Sequence, residues 1–148
     1  MIKRTYPHTR LRRTRAKNFL RDLTAENNLN TDDLIQPIFI ADQSEDKIEI
    51  PSMPGIHRHN LDSLYFEVEA LTQVGIKSIA IFPAIDKGKK DKDGSYALDE
   101  GNIVCLALTG LAERFPDIIK IADVALDPYT DHGHDGLLMN GRVENDET

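Results

Sequence analysis

The alternation of short apolar runs with amphipathic segments constrains the fold of this chain more than any other feature. Residues 34–41, 76–84 and 118–126 are apolar runs of strand length. Between them, residues 61–74 and 102–115 carry apolar side chains at the three-to-four spacing of a helix with one buried face. The order strand, helix, strand, helix, strand predicts right-handed βαβ units, a parallel sheet and therefore an α/β fold.

Local signals predict where these elements begin and end. Asn60 is a typical N-cap for the first helix, Gly75 a typical stop, and Pro116 ends the second helix. Residues 43–55 lack periodicity and end in Pro-Gly, so a loop is expected there. Residues 85–101 are charged and without pattern, which favours a mobile, solvated loop.

The flanks of this array have their own signatures. Residues 1–13 are expected to form a basic, extended arm, and residues 14–148 the βα units, beginning with a short helix at 14–23. Asn140-Gly141 between apolar pairs predicts a hairpin. Residues 145–147 are typical of a helix start, and the chain ends at Thr148, so we expect the front part of a longer βα array.

The charge is distributed unevenly along the chain. Residues 1–21 contain eight Lys and Arg and no acid, whereas residues 22–148 carry a balance of −15. Such an arm can bind nucleic acid or the acidic body of a sister subunit, but its densest basic run, RLRRTR at residues 10–15, has no interleaved aromatic residue and no recognisable nucleic-acid module follows it, which argues against nucleic acid. No apolar run is long enough to cross a membrane. The lone Cys105, expected in the core, excludes an internal disulfide and fits a cytoplasmic protein.

The stretch DVALDPYTDHGHDG, residues 123–136, concentrates polar chemistry directly after the third apolar run. If the strand continues, Asp123, Ala125 and Asp127 share one face, and Asp135 can return beside them. Converging carboxylates suit Mg²⁺ or can supply a general base. The alternative is that aspartates such as Asp127 and Asp131 serve only turn formation.

The histidines His132 and His134 allow a second hypothesis. A His-x-His pair at a strand end can hold zinc in a small metal-dependent hydrolase, but such a site needs further histidines. His57 and His59 precede the second strand and are expected on a surface loop. We therefore expect His132 and His134 to hydrogen-bond the backbone of a tight loop.

Seven segments, taken together, resemble the porphobilinogen synthase (5-aminolevulinate dehydratase) family. They are RLRRTR, LIQPIFI, IPSMPGIHR, GIKSIAIFP, DVALDPYT, HGHDG and NDET, in order from residue 10 to residue 148. The resemblance implies the N-terminal part of a (β/α)₈ TIM barrel, preceded by an arm that embraces a neighbouring subunit in a homo-octamer. It implies condensation of two 5-aminolevulinate molecules to porphobilinogen, with loss of two waters, through lysine Schiff bases.

The resemblance also implies roles for individual residues. Asp123 matches the catalytic aspartate, and Ala125, Asp127 and Asp135 stand where zinc-type members have cysteines. Oxygen donors in place of thiolates favour Mg²⁺, with no zinc at this motif. The active-site loop would comprise Ala125, Tyr129, Thr130, Asp131, His132 and His134, of which Asp131 departs from the family's usual Ser or Thr.

The Schiff-base lysines have no counterpart among these residues. None of the nine lysines lies in the family's lysine motifs. The expectation is thus an amino-terminal part of the enzyme, inactive and marginally folded alone. A non-catalytic module that modulates full-length subunits is the alternative.

Overall fold

A computed structural model describes residues 4–10 and 12–148. The chain divides into two compact units, and the boundary in the sequence follows Asn30. In the first unit, a 3₁₀ helix spans Arg13–Arg15 and α1 spans Asn18–Leu23, so the predicted helix at 14–23 is split in two. The arm contains a turn, closed by a 2.8 Å hydrogen bond from Thr9 N to Thr5 O, and is therefore not extended throughout. Positions 1–3 and 11 of the predicted arm lie outside the described residues.

The second unit is built on a mixed sheet with a parallel centre. Its strands and those of a separate hairpin are β1 Gln36–Ala41, β2 Lys47–Glu49, β3 His57–His59, β4 Ser78–Ala84, β5 Ile119–Ala122, β6 Leu137–Met139 and β7 Arg142–Glu144. The five-stranded sheet has the order β2-β3-β1-β4-β5, with only β2 antiparallel to its neighbour. The three predicted strands are thus adjacent and parallel, as βαβ units require.

Two helices cover one face of this sheet: α2, Leu61–Gln73, and α3, Ile103–Arg114. The predicted cap is confirmed, because the Asn60 side chain accepts a 2.9 Å hydrogen bond from Ser63 N. Leu64 and Val68 of α2 pack in the core against β1 and β4, together with Ile40, Ile79, Ile81, Ala107 and Leu111. At the other end, Gly75 adopts a φ of 86°, which favours glycine over any residue with a Cβ.

The segment expected to be a loop at 43–55 instead contains β2, and β3 follows it. β3 pairs with β1 through Phe39↔Arg58 and Ile40↔His59. The surface assignment of His59 was also wrong, because His59 lies in β3 and its side chain is buried, with Nδ1 3.2 Å from Ser63 Oγ of α2. Three-residue strands are too short to show periodicity, so tertiary pairing determines them.

Three further expectations concern the C-terminal half. The charged segment 85–101 contains two 3₁₀ helices, Lys87–Lys89 and Ser95–Leu98. The predicted hairpin is confirmed: β6 and β7 pair around Asn140 and Gly141, which have φ values of 53° and 77°. Residues 145–148 form no helix. Among the described helices, none has the length and apolar character needed to cross a bilayer.

Candidate functional site

The polar loop at residues 123–136, here called the site loop, begins where β5 ends and runs to β6. Because β5 ends at Ala122, Asp123, Ala125 and Asp127 lie in the loop, and the prediction that they share one strand face was wrong. Asp123 is exposed, and its Oδ1 accepts a 3.2 Å hydrogen bond from Ala125 N. Local side-chain-to-backbone bonding of this kind competes with continuation of the strand.

Asp135 returns to the start of the site loop. Its Oδ1 accepts hydrogen bonds from Leu126 N at 2.7 Å and from Asp127 N at 2.9 Å. Two backbone donors on one carboxylate oxygen hold this part of the loop in a tight turn. The carboxylate of Asp135 therefore contacts the backbone of Leu126 and Asp127.

Tyr129 and Thr130 point into the protein. Thr130 is 1% exposed, and its hydroxyl donates a 2.9 Å hydrogen bond to His134 O. Tyr129 is buried, which raises the pKa of its phenol, and its ring lies 6.3 Å from that of Tyr96. Both buried side chains anchor the site loop to the rest of the protein.

A second loop, which follows β4 and spans residues 85–101, is joined to the site loop by backbone hydrogen bonds; it is called the β4 loop below. Asp91 N donates to Tyr129 O at 3.3 Å, and Asp131 N donates to Asp91 O at 2.9 Å. The Asp91 carboxylate also accepts hydrogen bonds from the Ser95 hydroxyl and, at 3.0 Å each, from Ser95 N and Asp93 N. These bonds lower the pKa of Asp91, and the bond from the Ser95 hydroxyl is the main cause. Sequence reasoning missed Asp91, although the run Asp-Lys-Asp-Gly-Ser is typical of a turn closed by its first side chain.

Lys89 is a second functional candidate that sequence reasoning missed. Its Nζ lies 2.6 Å from Asp42 Oδ2 and 3.2 Å from the Tyr96 hydroxyl. The hydrogen bond to Asp42 is the main reason that the pKa of Lys89 is raised. An amine held as ammonium is a poor nucleophile, so Lys89 is not placed to form a covalent bond with a substrate. Its bond to Asp42 instead links the segment after β4 to the segment after β1.

The ring of His132 bonds to the backbone, as predicted for a tight loop, whereas the bonds of His134 in this loop are those of its own backbone N–H and carbonyl. His132 Nε2 lies 3.2 Å from Lys92 O, and His132 Nδ1 lies 3.2 Å from His134 N. The rings of His132 and His134 stack with centroids 5.6 Å apart. Both ring nitrogens of His132 are therefore engaged within the protein.

A bound metal ion needs several ligating side chains close together. Within residues 4–10 and 12–148, no three His, Cys, Asp or Glu side chains are arranged to hold one. Asp135 already directs one oxygen at two backbone amides, and His132 has no free ring nitrogen. The described residues therefore bring together no three-ligand site for Mg²⁺ or for zinc.

Comparison with known proteins shows the relationship of the whole chain. A family model described as delta-aminolevulinic acid dehydratase matches residues 8–148. The delta-aminolevulinic acid dehydratase of Chlamydia pneumoniae is 45% identical over 139 residues, covering 94% of this chain and 42% of that protein. The enzyme of Bradyrhizobium diazoefficiens is 43% identical, covering 94% of this chain and 39% of that protein.

A solved structure gives the same result. The crystal structure of delta-aminolevulinic acid dehydratase (porphobilinogen synthase) from Toxoplasma gondii ME49, in complex with the reaction product porphobilinogen, is similar with a TM-score of 0.87 and 37% identity. The match covers 95% of this chain and 40% of that one. The chain thus spans about two fifths of the length of the relatives it matches. With a family match over residues 8–148, this chain belongs to the delta-aminolevulinic acid dehydratase family.

Proposed function

We propose that this chain provides part of a porphobilinogen-forming active site, in which two 5-aminolevulinate molecules condense with loss of two waters. The observation that carries the proposal is the family match over residues 8–148. The similarity to a structure that holds porphobilinogen supports it.

The proposed architecture is the front part of a (β/α)₈ barrel. The order β1-β4-β5, with α2 and α3 as crossovers, is the succession that such a barrel needs. In a barrel of this kind the catalytic groups lie at the carboxyl ends of the strands. The β4 loop and the site loop both follow such ends.

Asp123 is the proposed catalytic carboxylate. It directly follows the carboxyl end of β5, and its side chain is exposed. A carboxylate in this place can pair with the ammonium group of 5-aminolevulinate or accept a proton from it. Ala125 and the remaining predicted loop residues are proposed to shape the loop around it, in line with the inward positions of Tyr129 and Thr130.

The imine-forming lysines are proposed to lie outside these 148 residues. Lys89 is bound to Asp42 and Tyr96, and Lys120 Nζ donates a 2.6 Å hydrogen bond to Phe115 O. An amine that forms a Schiff base has to be free and at least partly unprotonated. These two lysines near the strand ends do not meet that requirement.

The test joins residues 1–148 to the part of the Chlamydia pneumoniae relative that follows its matched region. The chimera is expected to form porphobilinogen and to give a borohydride-trapped adduct with 5-aminolevulinate, whereas the 148-residue chain alone gives neither. Asp123→Asn in the chimera should lower kcat by at least about 100-fold, as the loss of a general acid–base group does. Asp117→Asn, at an exposed acid before β5, is the matched control.

Two results would contradict the proposal. An adduct on the 148-residue chain alone would show that it contains an imine-forming lysine. A chimera that folds and binds 5-aminolevulinate but forms no porphobilinogen would contradict the proposed reaction.

The Mg²⁺ requirement stays a prediction. Asp127 and Asp135 supply hard oxygen donors, which favour Mg²⁺ over zinc, but the described residues bring no third ligand to them. Chelator treatment of the chimera, followed by readdition of Mg²⁺ or Zn²⁺, tests it. Restoration of activity by Zn²⁺ and not by Mg²⁺ would contradict the prediction.

We also propose that the basic arm binds a sister subunit in a homo-octamer within the cytoplasm. Tyr6 and Phe19 are exposed in the first unit, amid its excess of Lys and Arg, and the rest of the chain is acidic. Complementary charge and exposed aromatic rings suit a protein partner. Light scattering of the chimera, with and without residues 1–13, should show a smaller assembly for the deletion; an unchanged mass would refute the role of the arm.

The non-catalytic module remains a second candidate because of this same charge asymmetry. Co-expression of the 148-residue chain with a full-length relative should then give mixed oligomers in size-exclusion chromatography. Separate peaks would end this alternative.

A further inference from the structure

His132 is the residue of the site loop whose side chain reaches the β4 loop. Its ring contacts two backbone groups: the carbonyl of Lys92 in the β4 loop and the amide of His134 in the site loop, each at 3.2 Å. The ring is partly buried and stacks on that of His134. It thus makes the third hydrogen-bonded link between loops that are also joined through Asp91.

The two backbone partners determine which ring nitrogen carries the proton. A backbone N–H can only donate, so Nδ1 of His132 has to accept from His134 N and carries no hydrogen. A carbonyl can only accept, so Nε2 has to donate to Lys92 O. Both bonds exist together only in the neutral ring with its hydrogen on Nε2. A metal ion on either nitrogen would break one of them.

The bonds of His132 continue into the part of the loop that carries the acidic residues. The carbonyl of His134 accepts from the buried Thr130 hydroxyl. The next residue, Asp135, holds the backbone of Leu126 and Asp127. Holding the backbone of His134 in place therefore also positions Asp135 and the turn at Leu126 and Asp127 that it stabilises.

We infer that His132 is a positioning residue, which, as the neutral Nε2–H tautomer, joins the β4 loop to the site loop and sets the path of the backbone through His134. It acts through the backbones of Lys92 and His134. The inference concerns loop geometry and does not rest on the proposed porphobilinogen chemistry.

The first experiment measures the tautomer in the unmodified chain. Long-range ¹H–¹⁵N correlation spectra at about pH 8, where histidine rings are generally neutral, distinguish a protonated Nε2 from a protonated Nδ1. The His132 signals, assigned by their absence in a His132 variant, are expected to show the Nε2–H form. An Nδ1–H tautomer, or the averaged shifts of a freely exchanging ring, would overturn the inference.

The second experiment separates the two bonds with two isosteric variants. In His132→Asn, the amide oxygen occupies the place of Nδ1, so it keeps the bond to His134 N and loses the link to Lys92. In His132→Gln, the amide nitrogen reaches the place of Nε2, so it keeps the link to Lys92 and loses the bond to His134 N. Lys92→Ala is the matched control, because only the carbonyl of Lys92 takes part.

Backbone hydrogen exchange gives opposite results for the two variants. His132→Asn should raise exchange at Asp131 N, which bridges to the β4 loop, about fivefold, and leave His134 N protected. His132→Gln should raise exchange at His134 N by a similar factor and leave Asp131 N protected. Identical patterns in both variants, or exchange unchanged in both, would overturn the inference, and a general loss of folding would raise exchange in the sheet as well.

Discussion

The carboxylate oxygen Oδ1 of Asp135 lies 2.9 Å from the backbone nitrogen of Asp127. The same oxygen accepts from Leu126 N at 2.7 Å. The family resemblance pairs Asp127 and Asp135 as metal ligands. In this chain, Asp135 is the hydrogen-bond acceptor that stabilises the turn containing Asp127. This relationship can be measured without any ligand, because backbone amides report on it directly.

Asp135→Ala should loosen the start of the site loop. Loss of the shared acceptor leaves two amides without their partner, and we expect exchange at Leu126 N and Asp127 N to rise about fivefold to tenfold, equivalent to about 1 kcal/mol of local opening free energy at an exposed site. Asp135→Asn, which keeps an Oδ1 acceptor, should retain most of the protection. Asp131→Ala, at an exposed acid of the same loop, is the control. Equal protection in Asp135→Ala and the unmodified chain would contradict the role of Asp135.

Asn102→Ala should destabilise the second unit as a whole. The Asn102 side chain is 2% exposed, accepts from Val104 N and Cys105 N at 2.9 and 3.0 Å, and donates to Ala97 O at 3.2 Å. Removing a buried cap with three hydrogen bonds should lower the free energy of unfolding by about 2–3 kcal/mol in urea titration.

The matched comparison for Asn102 is Asn60→Ala, at the cap of α2. Asn60 is less buried and accepts from one amide, Ser63 N. A loss of about 1 kcal/mol is expected there. If the loss at Asn60 equalled or exceeded that at Asn102, burial and bond number would not explain the cost of removing these caps.

The helices and central strands of this fold follow from local sequence, and the site loop does so only in part. Caps and turns depend on the backbone preferences of single residues, so their roles can be predicted from the sequence alone, as at Asn60, Gly75 and Asn140-Gly141. β3 depends on pairing with β1, and β2 on pairing with β3, and no local pattern encodes these pairings. The burial of His59 was missed for the same reason.

In the site loop, residue types were easier to identify than their geometry. Asp123 to Asp135 stand out as a polar cluster, but strand alternation was extended too far because Asp123 bonds Ala125 N and β5 has already ended. The links from Asp91 and Lys89 bridge separate segments of the chain, to Asp131 and to Asp42. Such contacts follow from the sheet order rather than from spacing.

Acidification should destabilise the protein through His59. Burial is the main cause of the lowered pKa of His59; Lys47 and His57 lower it further, and Glu67 opposes them. The unfolded chain takes up a proton as the pH falls through the ordinary value of 6.5, whereas the folded chain does so only at a lower pH. The contribution is therefore fully present above pH 6.5 and is lost as the pH falls from there towards the folded-state pKa.

Urea titrations across this pH range measure the effect. His59→Gln, which cannot take up the proton, should show a smaller fall in the free energy of unfolding between neutral and acidic pH than the unmodified chain. Parallel pH profiles for the two proteins would show that His59 does not contribute to the acid sensitivity.

The outer edge of β5 should drive association of the 148-residue chain. β5 is an end strand of the described sheet, and the side chains of Ile119 and Ile121 on one of its faces are 59% and 40% exposed. An apolar edge strand with unpaired backbone groups is a template for pairing with another chain. Ile121→Lys places a charge on this face and should weaken self-association by at least about tenfold in sedimentation velocity, in keeping with the burial energy of one isoleucine.

Leu98→Lys, at an exposed leucine in the β4 loop, is the control for the added charge. If both variants reduced association equally, net charge rather than the edge of β5 would be the cause; if only Ile121→Lys did so, the edge strand would be the contact.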